Sequence, residues 1–252
     1  MTQLASIIEY LDDLLDTKSY YDSSLNGLQV ENPKQEINTV ALAVDAGESV
    51  IRKAVTTHSA ALLIVHHGLL WDEPQAITGA LARKLCLLFE HGCSLYASHL
   101  PLDGNTEVGN AFELGRFVGI TEIEPFLQLN GSFVGAKGNS TLTLREFSER
   151  LKGITAAITP LVLSHGNDSI RRVGIVTGSG AFAIRQCAKE GLDLLISGEP
   201  KQEVFHLSKE LGVNAIFAGH YATETFGVRA IGKKLEERFG LQTVFIDEPT
   251  GI

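Results

Sequence analysis

Cysteine is scarce in this chain: three residues in 252, at positions 86, 93 and 187. That odd count, at those spacings, matches neither a disulfide framework nor a zinc knuckle, so Cys86, Cys93 and Cys187 read as reduced core residues. Basic residues are also in deficit, 21 Lys and Arg against 30 Asp and Glu, for a formal charge of −9. Phosphate backbones are gripped by clustered Lys and Arg, so a general nucleic-acid surface is excluded from the expectations. No apolar run approaches the roughly 20 residues that cross a bilayer. The first sixteen residues, MTQLASIIEYLDDLLD, carry acids where a signal peptide carries bases. Leu4, Ile7, Ile8, Leu11, Leu14 and Leu15 instead form one stripe of an amphipathic helix. The expectation is a cytoplasmic protein with no membrane partner. No Ser–His–Asp or Cys–His nucleophile set stands out, and no Pro/Gly/Ser linker divides the chain into two free domains.

What the chain does have is a centre of organisation at residues 60 to 68, where Ala-Ala-Leu-Leu-Ile-Val runs straight into His66-His67-Gly68. An apolar run without alternation reads as a strand buried on both faces, as in a parallel sheet flanked by helices. The histidines therefore fall at its C-terminal end, where open α/β sheets place their ligand crevices. Neighbouring residues on an extended chain point opposite ways, so both rings reach one place only if the chain turns, which Gly68 permits.

The remaining elements follow from periodicity and punctuation. Asn26-Gly27 turns into a short strand; residues 39 to 46 form a strand and about 48 to 58 a helix, with Val50, Ile51, Ala54 and Val55 inward. A helix over 79 to 91, a strand over 93 to 98 and a helix from Thr106 to Val118, stopped by Gly119, come next. Residues 121 to 142 read as strands and turns, and Thr143-Leu-Arg-Glu146 has the capping-box spacing that opens a helix. From 172 the first pattern returns: strand, the glycines of Thr177-Gly-Ser-Gly180, a helix over 181 to 190, then a strand ending Ser197-Gly198-Glu199. Ala97-Ser98-His99 followed by Thr106-Glu107 likewise resembles Ala218-Gly219-His220 followed by Thr223-Glu224. The chain reads as internally duplicated, an α/β protein of two related lobes, about 1–125 and 126–252, facing each other across a site.

Four stretches lie just past predicted strands: His66-His67, His99 to Asp103, Glu199, and His220-x-x-x-Glu224. His220 and Glu224 are spaced i, i+4, one side of a helix. Imidazoles and carboxylates without thiolates suit zinc, manganese, iron, cobalt or nickel. Three histidines and two carboxylates exceed the three protein ligands usual for one catalytic ion, and suit two ions with one carboxylate bridging. Such ions would also supply the positive charge that an acidic chain lacks for a phosphorylated small-molecule substrate.

Five motifs in fixed order carry a resemblance over nearly the whole chain: SLNGLQVE at 24 to 31, VHHGLLW at 65 to 71, SHLPLDGNTEVGNA at 98 to 111, SGE at 197 to 199 and AGHYATETFGVRAI at 218 to 231. The sequence resembles the Nif-three-like family (NGG-one-interacting factor three), called GTP cyclohydrolase 1 type 2 homologues in bacteria. The resemblance implies two interleaved α/β lobes, a toroidal homohexamer, and a pair of divalent metals bound by His66, His67, Asp103, His220 and Glu224. The chain matches the short form, without the domain that longer relatives insert between the halves.

Two readings follow. The first is a metal-dependent hydrolase acting on a nucleotide or phosphorylated small molecule, with Glu199 or His99 moving protons and Glu224 bridging the ions. The second is a non-enzymatic metal-binding protein serving regulation or assembly. Beside these, His91 and His206 read as ordinary helix residues, and Glu107 as a helix-start acid. The Thr177-Gly-Ser-Gly180 turn reads either as backbone donors for a phosphate or as a tight turn for close packing.

Overall fold

The computed structural model of the protein describes residues 2–32, 36–154 and 159–252. The chain forms two compact units, Met1–Leu102 with Gly227–Glu248, and Asp103–Phe226 with Pro249–Ile252. The division therefore falls elsewhere than at 125/126, and the units are interleaved in sequence. Residues 103–125 go with the second unit because Ala111, Phe112, Leu114 and Val118 belong to its core. The C-terminal segment returns to the first unit because its strand completes that unit's sheet.

In the first unit a five-stranded sheet runs in the order Gln242–Phe245, Thr39–Asp45, Leu62–His67, Ser94–Ala97, Gly27–Val30. The first four strands are parallel and Gly27–Val30 is an antiparallel edge. Leu62, Leu63, Ile64 and Val65 are all 0% exposed, which is why this strand has no polar alternation. Each such side chain contributes about 1.5–3 kcal/mol by leaving water. Leu4, Ile7, Leu11 and Leu15 of the helix Leu4–Leu15 are buried, while Ile8 and Leu14 are only half-buried, so its apolar stripe is narrower than the sequence suggested. The helix expected to about 58 is α-helical over Glu48–Arg52 and then widens into a π-helical turn, Lys53–Thr57, where the His58 N–H donates to the Lys53 carbonyl at 3.3 Å. Val50, Ile51, Ala54 and Val55 are buried as expected. Cys93 is buried, but Cys86 is exposed on the helix Gly79–His91, which corrects its assignment to a core.

In the second unit a six-stranded sheet runs Thr121–Leu129, Ser132–Asn139, Arg172–Val176, Leu194–Ser197, Asn214–Phe217, Leu161–Leu163. Arg172–Val176, Leu194–Ser197 and Asn214–Phe217 are parallel; the strands beside them are antiparallel. The helix Leu144–Leu151 opens with the expected capping box: the Glu146 N–H donates to Thr143 Oγ1 at 3.3 Å and the Thr143 N–H donates to Glu146 Oε2 at 2.7 Å. The helix expected from Thr106 begins only at Asn110. Asn105 Oδ1 accepts from the N–H groups of Glu107 and Val108, both at 2.9 Å, and holds a turn there instead.

The duplication is visible in the strand order. Each unit has three consecutive parallel strands, preceded in the chain by a short strand that pairs antiparallel with the third of them. The repeats differ on the opposite side, where the first strand has a parallel neighbour in one unit and an antiparallel one in the other. Among the described residues no helix is long and apolar enough to cross a membrane.

Candidate metal centre

In the first unit the site is built at the C-terminal ends of two adjacent strands. Leu62–His67 delivers His66 and His67, and Ser94–Ala97 leads to His99. Both histidines lie within the strand, whose last residue is His67, and their ring centroids are 4.5 Å apart; the His99 ring is 5.2 Å from His66 and 5.7 Å from His67. Each ring is held through Nδ1. His66, fully buried, donates to the Ser98 carbonyl at 2.9 Å, His67 to Asp45 Oδ1 at 2.8 Å, and His99 to Asp22 Oδ1 at 2.9 Å. A carbonyl or carboxylate can only accept, so Nδ1 carries the proton and Nε2 is the basic nitrogen in each neutral ring. One ligand atom from each histidine lies within 4.8 Å of the others, a group able to hold a metal ion.

The segment from Asp22 to Gln29, which runs into the edge strand Gly27–Val30, braces these turns. Asn26 Oδ1 accepts from the His99 N–H at 2.7 Å, and Asp22 Oδ2 accepts from the Leu100 N–H and from Asn26 Nδ2, both at 2.9 Å. Burial alone would raise the Asp22 carboxyl, but the His99 hydrogen bond and charge, with Asn26 and the Leu100 N–H, outweigh it and hold the pKa at about 2. Gln29 Oε1 accepts from the N–H groups of Leu69 (2.7 Å) and Leu70 (3.1 Å). A Cβ on Gly68 would collide with that amide and lie 2.6 Å from Ala97 Cβ, so the histidine turn needs glycine here. Trp71 closes the cluster, its Nε1–H donating to the Gly68 carbonyl at 3.3 Å and its ring set edge-on to His99 at 5.2 Å.

The second unit gathers Asp103, Glu199, His220 and Glu224. Strand Asn214–Phe217 is followed by Gly219, at φ 98°, which caps the start of the short helix His220–Thr223, with Glu224 as the C-terminal cap. His220 Nδ1 donates to Glu199 Oε1, and Nε2 lies 3.1 Å from Glu224 Oε2. Burial lowers the imidazolium pKa, but the Glu224 and Glu199 carboxylates overcome this and raise it to about 9. A cation taken up at Nε2 would have to displace that proton. Asp103, 7% exposed, accepts at Oδ1 from Thr177 Oγ1 (2.9 Å) and Asn110 Nδ2 (3.0 Å).

Gly178 follows Thr177 on the same turn and packs against Glu224. Its N–H donates to Thr223 Oγ1 at 3.1 Å, and its carbonyl accepts from the N–H groups of Gly198 and Glu199. A Cβ there would collide with Glu224 Oε1, and φ is +56° besides. Close packing is therefore what the glycine at 178 serves.

The expected ligands are found at these places: His66 and His67 with His99 in one unit, and Asp103, His220 and Glu224 with Glu199 in the other. Glu107 is exposed in the Asn105-capped turn and is not part of either set. This also changes the pairing of the repeats. The counterpart of Glu224 is Asp103, since His99-Leu-Pro-Leu-Asp103 and His220-Tyr-Ala-Thr-Glu224 each follow a third parallel strand and enter a short helix. His91 caps back to the Leu87 carbonyl and the His206 ring meets Phe205, ordinary roles as read. Asp22, Asp45, Asn110 and Thr177 were missed. For Asp45 the signal was present, because it ends the strand paired in register with His67; Asn110 lies only seven residues from Asp103, across a turn, while Asp22 and Thr177 act over 77 and 74 residues, beyond any spacing rule.

Known proteins resemble this chain over nearly its whole length. A family model described as Duf34/NIF3 (NGG1p interacting factor 3) matches residues 2–251. A Deinococcus radiodurans protein called GTP cyclohydrolase 1 type 2 homolog is 41% identical over 248 residues, covering 98% of this chain and 93% of that one. One of the same name from Pyrococcus horikoshii is also 41% identical, with 98% of each chain covered. The crystal structure of a Thermus thermophilus protein superposes over 100% of both chains at a TM-score of 0.92 and 43% identity. With the match running from the first helix past the last strand, this chain belongs to the Duf34/NIF3 family.

Proposed function

We propose that this protein is a metal-dependent hydrolase that holds two divalent ions per chain on His66, His67, Asp103, His220 and Glu224, and acts on a nucleotide or another phosphorylated small molecule. One observation carries the reading. Every histidine in these two sets has its Nδ1–H committed to a carbonyl or a carboxylate, which fixes ring orientation and tautomer as in metal-ligating histidines. The donors are nitrogen and oxygen only, which fits zinc, manganese, iron, cobalt or nickel. When bound, such a pair acidifies a water toward neutral pH and offsets negative charge developing on the substrate. The chain's own part is to hold and orient. Asp45 sets His67, Glu199 sets His220, and Thr177 with Asn110 sets the Asp103 carboxylate. The relatives' name makes GTP the first substrate to test. The expected result is metal-dependent turnover of at least one nucleotide or phosphoester in a screen with the metal-loaded protein, and none with Asp103→Ala. Equal turnover by the variant, or no turnover of any substrate by the loaded protein, would overturn the reading.

The assembly we propose is a homo-oligomer, a ring of six. Support comes from the large apolar side chains that a single chain leaves in water, Ile77 at 67%, Phe89 at 55% and Leu25 at 52% exposed. Light scattering at micromolar concentration is expected to give about six chain masses. The mass of one chain would exclude the ring.

A further inference from the structure

We propose that the first unit also carries a binding site for a small organic amine, protonated and with an aromatic or alkyl body. The site is a cavity of about 750 Å³ walled by residues from 17–31 and 70–89, none of them a histidine. A cavity of that size suits a small molecule. The proposal goes beyond the hydrolase reading and does not rest on it.

The walls are joined by the chain itself. The Leu25 N–H donates to the Leu70 carbonyl at 3.1 Å, and the Asp72 N–H to the Ser23 carbonyl at 2.7 Å, on either side of a bridge between Ser24 and Trp71. Gln29 Nε2 adds bonds to the Leu25 and Leu70 carbonyls at 2.7 and 3.2 Å. The helix Gly79–His91 supplies Leu81, Leu85 and Phe89, four residues apart and therefore on one face. With Trp71 and Tyr20 they make a largely apolar, aromatic lining.

Charge then selects the ligand. No Lys, Arg or His lines the cavity, whereas Asp22, Glu31, Asp72 and Glu73 do. Glu31, Asp72 and Glu73 are exposed. A phosphorylated or other anionic ligand would meet only like charge there. An ammonium group gains from the carboxylates and from the indole face, while its apolar body gains from the leucines and Phe89. A bare metal ion gains nothing from that apolar wall.

A second observation points to a ligand that donates hydrogen bonds. Ser24, 4% exposed, belongs to the same wall, and its Oγ has no hydrogen-bond partner among the described residues. An unpartnered buried hydroxyl is costly, and a lone pair on Oγ is what an ammonium N–H needs.

The test uses the full chain at fixed metal content, with Trp71, the chain's single tryptophan, as a fluorescent reporter of occupancy. Phenethylammonium is titrated beside its neutral isostere phenethyl alcohol, the anion hydrocinnamate, and methylammonium, which has the charge without the body. The amine is expected to saturate at a concentration about tenfold or more below the alcohol and methylammonium, and hydrocinnamate not to saturate. Asp72→Asn/Glu73→Gln, which keeps both shapes, should lose most of the preference for the amine over the alcohol. Ser24→Ala should weaken the amine several-fold while the melting temperature holds or rises, a combination that a purely structural serine would not give. Equal saturation by amine and alcohol overturns the proposal, as does an amine affinity unchanged in both variants. Leu25, Ile77 and Phe89, read above as subunit contacts, also line the cavity; a neighbouring copy that fills it would leave Trp71 silent to the amine, and that too overturns the proposal. The comparison of probes needs no variant, so it decides even if a substitution disturbs folding, and neither result touches the screen for hydrolysis.

Discussion

Glu224→Gln is expected to reduce bound metal from two ions per chain to one or fewer, and to remove hydrolysis with it. The substitution keeps the shape of a side chain that is 3% exposed and packed against Gly178, so the fold should persist. What it removes is the negative charge beside His220 Nε2, 3.1 Å away. Two dications near a buried group need charge to offset them, and a neutral amide oxygen supplies little. Elemental analysis of the purified variant that still finds two tightly held ions would show that Glu224 is dispensable for binding.

Glu199→Ala should weaken metal binding 10- to 100-fold, the usual loss when the partner orienting a ligating histidine is removed. Glu199→Gln should lose less, because its amide oxygen can still accept the His220 Nδ1–H and hold the ring. The two variants separate orientation from proton transfer. A proton carrier at this position would lose hydrolysis in both variants while metal affinity stayed as in the wild type. Isothermal titration with zinc, run beside the activity screen, distinguishes the outcomes.

Much of this was legible in the sequence, for identifiable reasons. The unbroken run before His66 read as a strand covered on both faces, and glycines at 68 and 119 marked where the chain turns. The repeat around His99 and His220 was visible too, although it matched Glu224 with Glu107, and the short helices pair Glu224 with Asp103 instead. Two parts stayed hidden. Asp22 reaches His99 across 77 residues and Thr177 reaches Asp103 across 74, and such contacts leave no local periodicity. The unit boundary was hidden as well, because a helix over 225–239 has the same amphipathic pattern whichever sheet it follows.

The strand Gln242–Phe245 pairs with Thr39–Asp45, almost the full length of the chain away, while the second unit's sheet is assembled wholly from residues within 121–217. Loop closure over so many residues is slow, and local pairings come first. During synthesis the sheet whose strands emerge earliest is thus the one completed last, after an intervening unit has had all its own strands available. Until then Thr39–Asp45 presents an open edge to whatever else is in the cell, which makes the strand Gln242–Phe245 the cover that ends its exposure to misassembly.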